Sequence, residues 1–281
     1  MVHRNIPPSA SYKSLMRPPT PKTTVNADIE RMPLLPFFSS LKHTPPIALL
    51  LAEPIRAMFD SLASHATVPP ARNGDGHPVV VYPGLGAGSM TTSNLRSFLN
   101  QAGFVAGDWG AGVNIGHEGD FDDWLDGLVR NVRKLQGQHG GRKVSLVGWS
   151  LGGIFAREIA KCAPDAVRTV ITLGTPFASL GGASHAGTLY KLMNGDISQI
   201  TPALEARLRK SPPVPTTSIY SKSDGIVSWR GCIEKRSALT ESIEVDASHL
   251  GMVNHPAVLR ILADRLAQPE GAWQPLGRAG A

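Results

Sequence analysis

From residue 77 onward, short apolar runs rich in β-branched residues alternate with stretches of helical periodicity. Such alternation is typical of a parallel sheet whose two faces are both covered by helices. The predicted strands are Val79–Tyr82, Phe104–Ala106, Val144–Val147, Val167–Leu173, Thr216–Tyr220 and Ile243–Val245. The predicted helices are Ser93–Ala102, Phe121–Gln136, Leu151–Cys162 and Ala257–Leu266. The sequence therefore predicts an α/β domain over residues 77–268.

The rest of the chain divides by composition. Residues 1–32 are Pro-rich and basic, which predicts a disordered arm, and residues 269–281 form a tail. Residues 33–76 hold a linker and a pre-domain helix broken at Pro54, whose apolar face is Leu49, Leu50, Ile55, Met58, Phe59 and Leu62. We expect this helix to pack on the domain; a membrane-surface helix is the alternative. Residues 177–215 interrupt the rhythm with two predicted helices, one around Leu189–Met193, and are either a cap over the site or ordinary core.

The excess positive charge lies mainly outside the predicted domain. The chain carries 28 Lys and Arg against 22 Asp and Glu, a formal charge of +6, and +4 of it comes from Arg4, Lys13, Arg17 and Lys22. The folded part has no basic stripe with aromatic partners, so we expect no nucleic-acid partner. Two cysteines, Cys162 and Cys232, exclude a disulfide framework and a Cys-rich metal site. Without a bilayer-long apolar stretch or an apolar leader, we expect a cytoplasmic protein.

A candidate nucleophile stands between a predicted strand and a predicted helix. Residues 148–152 are Gly-Trp-Ser-Leu-Gly, a G-x-S-x-G pattern that gains its meaning from this position. A serine at such a sharp turn projects its hydroxyl above the carboxyl end of the sheet. The glycines at 148 and 152 allow the strand and the helix to approach each other. Ser150 is therefore the predicted catalytic nucleophile.

Two residues later in the chain are placed to activate this serine. A serine hydroxyl needs a base, the base needs an acid to orient it, and in this architecture the acid precedes the base in the chain. Asp224 stands in a turn directly after the fifth predicted strand, with Asp196 in reserve. His249 lies four residues after the last predicted strand, with His255 and His185 as alternatives. Asp224 and His249 complete the predicted triad.

Further residues are predicted around the serine. A tetrahedral intermediate needs two fixed donors for its oxyanion, and we assign the backbone N–H groups of Leu151 and Leu85. Leu85 lies in the glycine-rich loop 83–88, whose evenly spaced glycines match no dinucleotide or P-loop pattern. Trp149, Thr175 and Phe177 are predicted to contact the substrate. We expect neither a metal nor a cofactor.

Taken together, these residues resemble the α/β-hydrolase superfamily, in particular serine esterases and lipases with a Gly-Thr-Pro like that at residues 174–176. The resemblance covers residues 77–268 and implies an eight-stranded, mostly parallel sheet and hydrolysis of carboxylic esters through an acyl-enzyme on Ser150. Pro83-Gly84 and Trp149 stand where many lipases have His-Gly and His, so an esterase is favoured over a true lipase. The Gly-Trp-Ser-Leu-Gly-Gly segment is also similar to the elbow of esterases that act on carrier-linked acyl groups.

The expected substrate is an uncharged small-molecule or lipid-like ester. One alternative is a thioesterase or acyltransferase with the same triad. Another is a non-catalytic protein of this fold that binds a membrane or a protein through the arm and the Leu34–Leu62 segment. The sequence leaves the acyl-chain length and the oligomeric state open.

Overall fold

The computed structural model describes most of the predicted domain and the helix that precedes it. The described residues are 44–65, 74–117, 119–178 and 202–276, and all of them fall within one structural unit, residues 36–281. The predicted arm at 1–32 and the predicted helix at Leu189–Met193 lie outside the described residues. Among the helices of the described ranges, none is long and apolar enough to cross a membrane.

Six strands form one sheet in the described part of the chain, and every neighbouring pair is parallel. They are β1 (Pro78–Tyr82), β2 (Val105–Asp108), β3 (Val144–Trp149), β4 (Val167–Leu173), β5 (Thr216–Ser221) and β6 (Thr240–Val245). Their spatial order is β2-β1-β3-β4-β5-β6, so the direction of winding reverses between β1 and β3. Parallel sheets bind ligands beside such a reversal, at the carboxyl ends of the strands. The predicted α/β class and all six individually predicted strands are confirmed.

The strand number implied by the resemblance is wrong for the described residues, which form six strands and not eight. Before β1, the described residues form helix α1 (Ile47–His65) and, at residues 74–77, a segment without regular secondary structure. Apolar residues at helical spacing do not fit the two-residue period of a strand. Within the described part of the chain, the sheet therefore begins with β1.

Helices cover both faces of the sheet. They are α2 (Ser93–Gln101), α3 (Phe121–Gln138), α4 (Leu151–Cys162) and α6 (Pro256–Ala267), and a further helix, α5 (Pro202–Arg209), packs on α4. Successive strand residues point to opposite faces. Val79 and Val81 accordingly lie in one core cluster with apolar residues of α2 and α6, while Val80 and Tyr82 lie in another with residues of α3 and α4. The two cores hold the carboxyl ends of the strands in a fixed arrangement.

Helix α1 turns its polar side toward the domain. Six apolar side chains on its other side are each more than half exposed: Ile47, Leu51, Ile55, Met58, Phe59 and Leu62. Glu53, Arg56 and Asp60 instead form hydrogen bonds with the loops that follow β5 and β6. The predicted break at Pro54 is wrong, since the helix runs through this residue although a proline removes one backbone hydrogen bond. The helix therefore docks through polar residues, and the predicted apolar face mostly points outward.

The described part of the predicted insertion packs as core. Leu208 of α5 lies in one apolar cluster with Ile154 of α4 and Phe177. Arg207 of α5 forms salt bridges with Glu158 of α4 and with an acidic residue of α3. Residues 179–201, which include the rest of the predicted cap, lie outside the described ranges. Helix α5 therefore packs on α4, and whether the insertion caps the site stays a prediction.

Candidate active site

Ser150 occupies a strained turn between β3 and α4. Its backbone dihedrals are φ 53° and ψ −120°, and it is the only non-glycine residue with a positive φ among the described residues. Backbone strain of this kind costs about 1–3 kcal/mol and persists only where the surroundings enforce it. The Ser150 N–H donates to the carbonyl of Leu173 on β4 at 2.8 Å, and the Ser150 carbonyl accepts from Gly153 at 3.0 Å. The predicted strand, turn and helix are therefore present, with the serine at the helix N-terminus.

The glycines around Ser150 are required by close backbone contacts. A Cβ on Gly148 would lie well inside van der Waals distance of the Gly153 backbone, across the turn. A Cβ on Gly152 would collide with the carbonyl oxygen of Tyr82 at the end of β1. These contacts let α4 begin directly beneath the serine. The G-x-S-x-G pattern is thus a consequence of how tightly β1, β3 and α4 meet.

Replacing Gly152 with alanine should destabilise the protein by about 1–3 kcal/mol, because backbone atoms must move to admit the methyl group. Gly137 provides a matched control: it also lies in a helix, and a Cβ there would meet nothing within 4 Å. Gly137→Ala should stabilise the protein by up to about 1 kcal/mol through helix propensity. Urea denaturation of both variants measures the difference. Equal stabilities would contradict this account of the turn.

His249 and Asp224 lie in line with Ser150. The His249 Nε2 atom is 3.1 Å from the Ser150 Oγ, and the His249 Nδ1 atom is 2.6 Å from the Asp224 Oδ2. Asp224 and His249 are each 3% exposed. The other Asp224 oxygen, Oδ1, accepts from the N–H groups of Ile226 at 2.8 Å and Val227 at 2.7 Å. The structure therefore brings the three predicted residues together, with the carboxylate fixed by its own turn.

The electrostatic surroundings of His249 favour its protonated form. Burial alone would lower the pKa of the imidazole. The charge and hydrogen bond of Asp224, with a smaller contribution from the charge of Glu53, outweigh burial and raise the pKa of His249 above its ordinary value. The arrangement can therefore stabilise an imidazolium that has accepted a proton.

A buried asparagine holds the loop that follows β1. The Asn114 side chain, fully buried, donates to the Pro83 carbonyl at 2.7 Å, and its backbone carbonyl accepts from Gly86 at 2.7 Å. A Cβ on Gly84 would lie 3.3 Å from the Ser150 Cβ, so this loop directly borders the serine. Within the described residues, no acceptor is bound to the N–H of Leu85 or of Leu151. Sequence reasoning missed Asn114, which belongs to no motif.

The predicted substrate contacts lie in buried packing. Trp149 is 5% exposed and donates its indole N–H to the His249 carbonyl at 3.1 Å. Thr175 is fully buried against Gly153, and the Phe177 ring is covered by the Arg157 guanidinium at 3.6 Å from its centroid. The contacts seen here support neighbouring groups of the protein. Their role toward a substrate stays a prediction.

The alternative candidates lie elsewhere. His255 accepts from the Ala257 N–H and caps α6, while His185 and Asp196 fall outside the described residues. No group of three side chains suited to a metal ion is found in the described ranges.

A second group of Ser, His and Asp lies at the amino ends of β1 and β3, opposite to the ends that carry the candidate site. The His77 Nδ1 atom is 2.5 Å from Asp75 Oδ1, and its Nε2 atom is 2.8 Å from the Ser145 Oγ. Ser145 and His77 are fully buried, and Ser145 lies within β3 and not at a helix N-terminus. Burial lowers the pKa of His77, opposite to the shift at His249. Proximity alone therefore does not distinguish the two serines; access and the turn do.

A buried carboxylate of α1 also reaches the candidate site, and sequence reasoning missed it. Glu53 is 1% exposed. Its Oε1 atom accepts from the N–H of Gly225 at 2.7 Å and from the N–H of His249 at 3.0 Å. Its Oε2 atom accepts from the N–H of Leu250 at 2.9 Å. Glu53 thus joins the loop of the acid to the loop of the base.

The family of the chain follows from its similarity to known proteins. A model of the family described as serine aminopeptidase, S33, matches residues 77–231, which is more than half of the chain and includes Ser150 and Asp224. The chain belongs to this family. Membership in the S33 family confirms the resemblance to α/β-hydrolases. The lipase B of Aspergillus fumigatus has the same fold, with a TM-score of 0.54 at 18% identity over 75% of this chain and 58% of that one.

Curated relatives of this S33 family member match it over a shorter region. The pimeloyl-[acyl-carrier protein] methyl ester esterase of Shewanella woodyi is 28% identical over 103 residues, 36% of this chain and 37% of the esterase. The triacylglycerol lipase of Pseudarthrobacter phenanthrenivorans is 32% identical over 106 residues, 36% of this chain and 33% of the lipase. The matched region therefore spans about a third of either relative.

Proposed function

We propose that this S33 family member is a serine hydrolase of carboxylic esters that acts through an acyl-enzyme on Ser150. The observation that carries the proposal is the continuous chain of hydrogen bonds from Ser150 through His249 to Asp224, at 3.1 Å and 2.6 Å. It begins at a serine in a strained turn, beside the loop that carries the Leu85 N–H and at the helix N-terminus that carries the Leu151 N–H. This combination is what acyl transfer by a serine requires.

In the first half of the reaction, the Ser150 Oγ attacks the ester carbonyl carbon and His249 Nε2 takes the hydroxyl proton. Asp224 holds the Nδ1–H of the ring, which leaves Nε2 free as the acceptor. The carbonyl oxygen becomes an oxyanion, and the N–H groups of Leu151 and Leu85 donate to it. His249 then returns the proton to the leaving alkoxide, the alcohol departs, and the acyl group remains on Ser150.

In the second half, a water molecule replaces the alcohol. His249 takes a proton from the water, and the resulting hydroxide equivalent attacks the acyl carbon. The same two backbone donors bind the second oxyanion. The proton returns to the Ser150 oxygen as the carboxylic acid forms, so each turnover consumes one ester and one water and regenerates the enzyme.

The ester class is supported by the named relatives. One is an esterase for a methyl ester of a carrier-linked acyl group, and another is a triacylglycerol lipase. Both names describe hydrolysis at an ester carbonyl. The alternatives, a thioesterase or an acyltransferase, would use the same triad with another leaving group or acceptor.

Parallel turnover assays test the substrate class. The substrates are p-nitrophenyl esters of graded acyl length, an acyl-thioester, and an aminoacyl p-nitroanilide, which is included because the family is described as aminopeptidases. We expect the esters to give the highest kcat/KM. A faster thioester, a faster anilide, or transfer to an added alcohol in preference to water would overturn the ester hydrolase proposal. Absence of both turnover and fluorophosphonate labelling would favour the non-catalytic alternative.

The activity should depend on pH through His249. The imidazole must be neutral to accept the serine proton, and its pKa is raised above the ordinary value, mainly because Asp224 outweighs burial. The value of kcat/KM should therefore rise with pH through that raised pKa, and fall about tenfold per unit below it. A profile of kcat/KM from about pH 5 to about pH 9 measures this. A profile that stays flat to about pH 5 would contradict a neutral His249 as the base.

A further inference from the structure

One carboxylate joins the two loops that carry the proposed acid and base. Glu53 accepts from Gly225, the neighbour of Asp224, and from the backbone N–H of His249 itself. Its third bond is to the next residue, Leu250. The separation between these loops sets the distance between Asp224 and His249. A group that binds both loops therefore controls that distance directly.

The chemistry of this contact calls for a carboxylate. Three N–H donors converge on a side chain that is 1% exposed and therefore shielded from bulk solvent. An ionised carboxylate offers acceptor positions on both oxygens, and hydrogen bonds to a charged acceptor are about twice as strong as neutral ones. An amide would present an NH₂ group to one of the three donors. The site is thus complementary to a charged acid.

The neighbouring residues of α1 hold the same two loops from outside. Arg56 donates to the carbonyl of Ser223 and, at 2.9 Å, to its hydroxyl, next to Asp224. Asp60 accepts from the hydroxyl of Ser248 at 2.7 Å, next to His249. These three α1 residues lie on one side of the helix. The helix therefore acts as a brace, with Glu53 nearest the triad.

We propose that Glu53 is a positioning residue that sets the geometry of His249 from outside the segment matched by the family model. The inference rests on the ester hydrolase proposal. Glu53 acts through the His249 loop, and within the described ranges none of its hydrogen bonds is to the serine hydroxyl. On this proposal, helix α1 contributes a positioning residue to the active site.

The charged groups facing His249 decide the expected direction of the pH effect. Among the described residues they are Asp224 and Glu53, and the buried thiol of Cys232 lies near Asp224. Burial first, and then the charge of Asp224, raise the pKa of Cys232 well above its ordinary value, so this thiol stays neutral. Both charged neighbours of His249 are thus negative and stabilise its protonated form. Removing the charge of Glu53 should move the acid limb of kcat/KM to lower pH.

Three variants test the proposal. Glu53→Gln removes the charge and turns an NH₂ group toward a backbone donor, and Glu53→Asp keeps the charge but shortens the side chain. Glu158→Gln is the matched control: Glu158 is also 1% exposed, but it binds Lys161 of α4 and Arg207 of α5. We expect Glu53→Gln to lower kcat by up to about 100-fold with little change in KM, and to shift the acid limb downward. Glu53→Asp should lower kcat less and keep the wild-type limb, and Glu158→Gln should keep both.

The proposal is overturned if Glu53→Gln and Glu53→Asp both retain the kcat and the acid limb of the Glu158→Gln control. A common loss in all three variants would also overturn it, since that is the result of general destabilisation. If Glu53→Gln does not fold, the reduced kcat of Glu53→Asp with an unshifted limb carries the test.

A spectroscopic measurement separates failure of this inference from failure of the proposed function. The low-field proton resonance of the His249 Nδ1–H, bound to Asp224, reports the geometry without any turnover. It should be present in the wild type and in Glu158→Gln, and lost or shifted in Glu53→Gln. If the wild type shows no ester turnover but the resonance responds in this way, the ester proposal fails and the positioning role stands. If the wild type turns over esters but Glu53→Gln leaves both the resonance and kcat unchanged, the positioning role fails and the ester proposal stands.

Discussion

Replacing Ser150 with alanine is expected to abolish ester turnover, with a fall in kcat of about 10⁶-fold, and to eliminate labelling by a fluorophosphonate. Alanine retains the Cβ that the turn already accommodates, so the fold should persist. Only the attacking oxygen is lost, and neither His249 nor the oxyanion donors can replace it. Active-site labelling followed by mass spectrometry of the modified peptide measures the outcome. Retained labelling of the Ser150→Ala variant would show that another residue is the nucleophile.

Ser145 provides the control for this experiment. Its hydroxyl is 2.8 Å from a histidine that contacts an aspartate, yet both Ser145 and His77 are fully buried. Ser145→Ala should therefore keep turnover and labelling. A loss of stability of about 1–3 kcal/mol is expected, since the Nε2 atom of His77 loses its buried hydrogen-bond partner. Loss of labelling in a folded Ser145→Ala variant would contradict the assignment of the accessible serine.

Replacing Asp224 with asparagine is expected to lower kcat by about 10⁴-fold while the turn stays folded. The side-chain carbonyl of the introduced asparagine can still accept from Ile226 and Val227, as the Asp224 Oδ1 does at 2.8 Å and 2.7 Å. The amide NH₂ then faces His249 Nδ1 and donates to it. The Nδ1 atom must therefore be the acceptor, and the imidazole ring carries its proton on Nε2. A ring in that tautomer cannot take the proton of Ser150. Steady-state kinetics together with a thermal melt separates this effect from unfolding.

Asp246 is the matched control for the charge change. Its side chain is 90% exposed and lies directly after β6, where it contacts Arg56 and Ser223. Asp246→Asn removes the same charge near the same edge of the sheet without touching the imidazole. We expect its kcat to stay within about twofold of the wild type, because exposed ion pairs contribute little. Comparable losses in both variants would refute a specific role of Asp224 toward the ring.

The local pattern of the candidate active site was present in the sequence. The G-x-S-x-G segment between a predicted strand and a predicted helix indicated the position of Ser150, because the turn depends on residues adjacent in the chain. Asp224 and His249 could be selected because each follows a strand, and parallel strands bring their carboxyl ends to one edge of the sheet. The six strands were predictable for the same reason, since β-branched runs are a local signal.

The predicted number of strands was wrong because it did not come from the residues of this chain. Eight strands were implied by the resemblance alone, and the segment before β1 carries the spacing of a helix. The apolar residues of α1 also led to a wrong prediction of which side of the helix is buried. An apolar stripe predicts the buried side of a helix, yet here the stripe is exposed and the polar side is bound to the domain.

Only the tertiary structure decided which polar residues support the triad. Glu53 binds the N–H of His249 across a sequence separation of 196 residues, and Asn114 binds the carbonyl of Pro83 across 31. Neither belongs to a pattern, because a buried side chain is selected by the backbone donors and acceptors that the fold brings to it. The choice between Ser150 and Ser145 has the same origin. Each has a histidine and an aspartate within reach, but only the packing of β1, β3 and α4 strains one of the two serines and leaves it accessible at a helix N-terminus.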